Sequence, residues 1–311
     1  MPQEFNVGGQ AVIEGVMMRG RESWSVAVRT PQGEIEVRRE PYKAFGEKHP
    51  WARLPLVRGS VALVESMAIG TKALFWAANK SAVEPDGSEA EIPKSAIAIS
   101  MALGVLLFLV LFMMGPAAIT RYVVDRFVSD PTLANLAEGL IRIAMLIGYM
   151  WGLSLMSDVR RMFQYHGAEH KTIAAYEYGD RLAPEAVERY STRHVRCGTN
   201  FLFIVMVLAV LTYSFLGRPP LLWRMASRIV LIPVVAGVAY EVIRLAARHV
   251  RSRVVRVLMA PGLALQAITT RQPDREQLEV AIASLEAVLS EQESREAVER
   301  PILPEAVAIP A

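Results

Sequence analysis

The chain has 311 residues, 34 Lys and Arg against 31 Asp and Glu, and a formal charge of only +3. A hydrophobic content of 52% and several long uncharged runs exclude an ordinary soluble two-domain protein. The single cysteine excludes an internal disulfide, and a reduced thiol suits the cytoplasm.

Residues 1–50 read as a small β-rich module. Ser23–Arg29 and Glu34–Arg38 alternate polar and apolar residues around the turn Pro31-Gln32-Gly33, which predicts a hairpin. Before it lies the glycine-rich Gly8–Gly15, where Glu14 is read as a capping or hairpin residue in preference to a binding carboxylate. Met1–Gly15 lacks the apolar core of a secretory signal, so the first span is expected to direct insertion. Residues 51–94 hold a helical segment and an acidic linker. In Leu56–Ala78 the charges Arg58, Glu65 and Lys72 fall seven apart, on one face. That stripe fits a helix lying on the membrane surface, or one facing the interior of an assembly.

Residues 95–246 contain the transmembrane candidates. Ser95–Thr120 is uncharged for 26 residues and Cys197–Gly217 for 21, against the roughly 20 that a spanning helix needs. Gly139–Ser157 holds only Arg142, placed near an end where it is expected to snorkel. Leu221–Tyr240 carries Arg224, Arg228 and Pro233 and reads as a span, with a re-entrant helix as the alternative. Lys and Arg number twelve in residues 1–94 and seven in 158–196, but two in 121–138 and two in 217–224. Both termini and the 158–196 connection are therefore expected to face the cytoplasm.

After the spans, 247–272 is a basic juxtamembrane stretch broken at Pro261-Gly262. Residues 273–311 carry nine acids and three bases, and Leu278, Ile282, Leu285 and Leu289 form an apolar stripe that needs a partner in the chain or on another subunit. Residues 301–311 are expected to be disordered. The basic excess beside the spans points to anionic lipid headgroups as partners, and no pattern favours nucleic acid.

Chemistry concentrates between the second and third spans. His166-Gly167-Ala168-Glu169-His170 is an H-x-x-E-H pattern, whose histidines share a helix face and can reach one metal ion, zinc or another divalent transition metal. Glu169 is turned aside, where its carboxylate can take a proton from water instead of ligating. A third ligand is wanted. His194 comes first, because a straight helix from Ser157 places His166 about 13 Å deeper in the cytoplasm than the membrane boundary. Cys197, at the start of the third span, comes second unless the helix bends, with Gly167 as the bend point. The competing reading is an ordinary polar helix surface, with Glu169 pairing to Arg161 or Lys171. His49 and His249 read as structural.

The blocks Gly8–Arg19, Tyr165–Lys171 and Arg196–Asn200 resemble the signatures of the YqhQ-like bacterial membrane proteins, over about residues 5–270. The resemblance implies a multi-pass protein of the bacterial cytoplasmic membrane and a predicted metal-dependent enzyme. The expected fold class is an α-helical integral membrane protein with about four transmembrane helices, a small cytoplasmic β-containing N-terminal module and amphipathic helices. Three functions follow. One is a metal-dependent hydrolase with Glu169 catalytic and His166, His170 and His194 or Cys197 as ligands, acting at the cytoplasmic interface. The second is a non-catalytic homo-oligomer serving as channel, transporter or scaffold. The third is an assembly partner that recruits a soluble protein through the β module and acidic tail.

Overall fold

The computed structural model describes residues 7–82, 92–217, 220–249 and 252–290, with Glu293 and Ala297. Four antiparallel strands open the chain in sequence order: β1 (Gly8–Val12), β2 (Gly15–Arg19), β3 (Ser23–Arg29) and β4 (Ile35–Pro41). The β3–β4 hairpin is the one that the polar–apolar alternation predicts. The glycine-rich opening is a second hairpin, and Glu14 takes a left-handed φ of 52° in its two-residue turn. Helix α1 (Phe45–Lys48) and a short 3-10 turn lead into the long α2 (Val57–Ser81).

The uncharged run from Ser95 becomes α3 (Lys94–Leu109), a π-helical turn (Val110–Met114) and α4 (Gly115–Tyr122). Pro116, inside the first turn of α4, has no N–H to give the carbonyl of Phe112, four residues back. That carbonyl instead accepts from Arg142 Nε at 2.9 Å. Helix α5 (Pro131–Leu153) is capped by Asp130, whose carboxylate accepts from Leu133 N, and ends at a break over residues 154–156. A separate helix, α6 (Ser157–Tyr178), runs unbroken through Gly167 to a left-handed cap at Gly179, so Gly167 is not a bend. Next come α7 (Pro184–Val187), α8 (Gly198–Ser214), α9 (Leu221–Arg248), α10 (Arg253–Thr269) and α11 (Arg275–Val288), the last opened by an Asp274–Gln277 capping box. Helix α10 continues through Pro261 and is not broken there.

The sheet lies between helices. Its Val12, Met17, Trp24, Val26 and Val28 pack on Ile69, Ala73 and Ala77 of α2. On the other face Val16, Met18 and Ala27 share a core with Tyr165 and Ala168 of α6 and Leu278 and Leu285 of α11. The apolar stripe of residues 278–289 thus has its partner within the chain. The tail 301–311 lies outside the described residues, as does 83–91 of the acidic linker.

Among the described residues, four helical segments are long and apolar enough to cross a membrane: Val57–Ser81, Ser95–Arg126, Pro131–Leu153 and Ala226–Ala247. Three of them overlap segments read from hydropathy, and α2 stands in place of Cys197–Gly217. Helix α8 has 17 residues and falls short, while α2 has the length although its second half covers the sheet. In α5 and α9 three charged side chains turn inward. Arg142 and Arg228 both donate to Glu138 Oε1, at 2.8 and 2.5 Å, and the guanidinium of Arg228 lies over the Tyr213 ring. Arg142 is therefore held inside the helix cluster rather than snorkelling to its end, because the acid, the second arginine and the carbonyl left by Pro116 all need partners.

Candidate metal centre

Helix α6 carries His166 and His170 one turn apart, and their rings meet at 4.4 Å between centroids. Each has its Nδ1 against a main-chain carbonyl: Thr269 at 2.8 Å for His166 and Thr192 at 2.6 Å for His170. A carbonyl only accepts, so both Nδ1 atoms carry hydrogen and both Nε2 atoms are the ones available to a metal. His170 Nε2 is buried and has no hydrogen-bond partner.

Cys197 completes the group. The nearest ligand atoms of His166, His170 and Cys197 all lie within 4.8 Å of one another, and Sγ is 3.3 Å from His166 Nε2. Tetrahedral zinc with sulfur and nitrogen ligands wants about 3.4 Å between them, a closure of roughly an ångström. Cys197 also caps α8, where Thr199 N donates to Sγ at 3.3 Å. Burial pushes its thiol up, but hydrogen bonding and the imidazoles of His166 and His170 outweigh this and hold it well below the ordinary thiol range. Burial in turn pulls His166 down, but Cys197 raises it further, to about 9. Two ring nitrogens and a thiolate are a donor set that fits zinc.

The geometry reverses the preference for His194. Its ring lies 5.8 Å from that of His170, but Nε2 is 3.3 Å from Glu177 and its Nδ1 accepts from Arg196 N. The straight-helix assumption fails because α5 and α6 are separate helices, so Cys197 is level with His166. Glu177 also pairs with Arg196.

Glu169 is fully enclosed, and burial pushes its carboxyl up against the opposing pull of His166 and His170. Its Oε2 has no hydrogen-bond partner. Strand β1 forms the wall: a Cβ on Gly9 would lie 2.7 Å from Glu169 Cγ and 2.8 Å from Oε1. Gly167 lets the carbonyl of Arg271 approach α6 where no Cβ would fit. Glu14 stands at the other end of β1, paired with Arg161 and accepting from Tyr165 Oη at 3.3 Å. It is a hairpin residue outside the metal group. His49 packs among Phe45 and Trp51, and His249 bonds its own helix at Leu245 O.

Helix α10 was not legible as part of the site. It supplies the Thr269 carbonyl and Gln266, a fully buried amide that donates to His194 O and accepts from His194 N, both at 2.9 Å. Gln266 thereby clamps the 192–197 loop that carries Cys197 and the Thr192 carbonyl. Lys171 ties the same connection down from its other end, donating to Glu188 O and Tyr190 O at 2.6 Å.

The three sequence blocks that carry the family resemblance thus meet at one place: β1 through Gly9, α6 through its histidines, and the start of α8 through Cys197. The protein is mostly helical, with an N-terminal sheet and, among the described residues, four helices of membrane-crossing length. The chain belongs to the family described as "Protein of unknown function (DUF1385)", whose model matches residues 54–291. It is 34% identical over 293 residues to "Uncharacterized protein YqhQ" of Bacillus subtilis (strain 168), covering 91% of this chain and 92% of that one. The family match takes in α11, which the resemblance alone had left outside. No solved structure matches the chain.

Proposed function

We propose that the chain is a membrane-embedded, transition-metal-dependent hydrolase. The observation that carries this reading is the buried Nε2 of His170, without a hydrogen-bond partner, in a group where His166, His170 and Cys197 each bring a ligand atom within 4.8 Å of the others. An unpaired buried nitrogen costs roughly 1–3 kcal/mol, and a metal ion removes that cost. His166, His170 and Cys197 are the ligands, and zinc is the ion that suits a mixed sulfur–nitrogen set. Such an ion would supply Lewis acidity and bring the pKa of water toward neutrality.

Glu169 does the proton work. Its carboxylate is beside the ligands but not among them, and enclosure raises its proton affinity toward that of a working base. It takes a proton from water and returns it to the leaving group. On this reading the protein sits in the bacterial cytoplasmic membrane, which the four helices of membrane-crossing length among the described residues support. The sheet, both termini and the metal centre are on the cytoplasmic side, beside anionic lipid headgroups. Glu169→Gln is the test. Hydrolysis should fall by 10²-fold or more with metal content unchanged, whereas full activity in that variant would remove Glu169 from the mechanism.

A second reading has its own support in the buried Glu138, Arg142 and Arg228 cluster. Ionisable groups within spans mark conduction or transport paths as well as braces. On that reading the chain forms a non-catalytic oligomer, acting as channel, transporter or scaffold, and the metal centre is structural. A monomer in mild detergent would count against it.

A further inference from the structure

Strand β1 is one of the two outer strands of the sheet, and register fixes the direction of its outward hydrogen-bonding groups, which have no partner among the described residues. Arg29 N bonds Glu14 O, and Gly20 N bonds Ser23 O, at 2.9 and 2.8 Å. The even-numbered residues of β2 therefore ladder to β3 and the odd-numbered ones to β1. Across the first hairpin this turns Gly8, Gln10 and Val12 toward β2. The N–H and C=O groups of Gly9 and Ala11 point off the sheet.

That free edge borders the metal centre. Gly9 rests on Glu169, and Gly8 beside it is open, with nothing within 4 Å of where a Cβ would stand. Tyr165 and Ala168 of α6 face the core shared with α11. His166 and His170 are rotated away from that core, toward Thr192, Cys197 and Thr269. The metal ligands consequently lie on the side of α6 beyond β1. A strand added about 4.8 Å from β1 would run past Glu169 toward them.

We infer that the substrate is an extended polypeptide segment, held by strand addition to the free edge of β1 through Gly9 and Ala11. The inference rests on the hydrolase reading and narrows its substrate class. Two donors and two acceptors repeating every second residue, roughly 6.6 Å apart, match an extended peptide backbone. A phospholipid headgroup has no such periodic amides. The reaction is hydrolysis of an amide: the water oxygen bonds to the carbonyl carbon, the C–N bond breaks, and Glu169 passes the water's proton to the departing nitrogen. A carboxylate and an amine result.

The test uses the zinc-loaded full chain in detergent with three probes: unfolded casein, a synthetic peptide library, and vesicles of phosphatidylethanolamine and phosphatidylglycerol. Peptide bonds should be cut and the vesicle lipids left intact. N-methylation of alternate amides in a cleaved peptide should reduce cleavage about tenfold or more in one phase and spare it in the other, since each blocked bond is worth about that factor. Ala11→Pro should lower peptide cleavage to a similar degree with zinc content retained, because proline is tolerated on an edge strand where the N–H faces outward. The N-methyl series gives the answer even if that variant misfolds. Hydrolysis of vesicle lipid with no peptide cut would overturn this inference and leave the hydrolase standing. No hydrolysis of any probe would overturn both. Peptide cleavage indifferent to N-methylation would remove β1 from substrate binding.

Discussion

Each imidazole of the metal centre has its role set on the far side of its ring. The Thr269 and Thr192 carbonyls hold hydrogen on Nδ1 and so direct Nε2 inward. His194 has the opposite arrangement, with Nδ1 accepting and Nε2 engaged by Glu177, and it is not among the three grouped side chains. His170→Ala should therefore abolish metal binding, while His194→Ala should retain at least half of it, as read by metal analysis of folded protein. The pair His166 and Cys197 sets the pH dependence. His166 is raised to about 9 and the thiol is lowered, so each favours its charged form in the metal-free pair. A metal must displace the His166 proton. Affinity should then rise about tenfold per pH unit from neutrality until pH 9 and level off above it, since the competing proton is gone there. Calorimetry in buffers of different ionisation enthalpy should show about one proton released per ion bound at pH 7. Release of none would contradict the assigned pair.

At the scale of elements, the site is assembled by close approaches that few side chains permit. Gly167→Ala would force a methyl into the Arg271 carbonyl and push α6 off the segment that follows α10. It should cost on the order of 1–3 kcal/mol and lose metal along with stability. Helix α11 is equally tied in. Leu285→Ala should destabilise by about 2–5 kcal/mol in thermal or chemical unfolding, since that side chain is fully enclosed between sheet and α6. The β3–β4 hairpin and the histidine spacing were legible because alternation and i, i+4 periodicity are local properties of the chain. Cys197 was ranked below His194 because the turn between α5 and α6, over residues 154–156, carries no proline or glycine to announce it. The contribution of α10 was hidden for another reason: Thr269 acts through its main-chain carbonyl, and any residue type would present the same atom.

Taken whole, the molecule joins a sheet and helix layer to helices of membrane-crossing length, and charge marks both parts. In the long apolar helices, Glu138 is shared by Arg142 and Arg228, which brace α5 against α9 and, through Phe112, the π-helical turn after α3. Glu138→Leu would leave two buried guanidiniums facing one another. The loss should be about 3–5 kcal/mol, seen as a lowered unfolding midpoint in detergent. Simultaneous replacement of all three by apolar residues should recover much of it. Hydropathy found three of the four segments long enough to cross, and missed α2 because its charges repeat every seven residues on one stripe.

The most direct measurement is metal content by inductively coupled plasma mass spectrometry, on full-length protein purified without chelator or histidine tag. Wild type would be compared with His166→Ala, His170→Ala and Cys197→Ala. About one transition-metal ion per chain, zinc foremost, with loss in all three variants, is the result that this account predicts. A folded wild-type protein that holds no metal after incubation with zinc would contradict it.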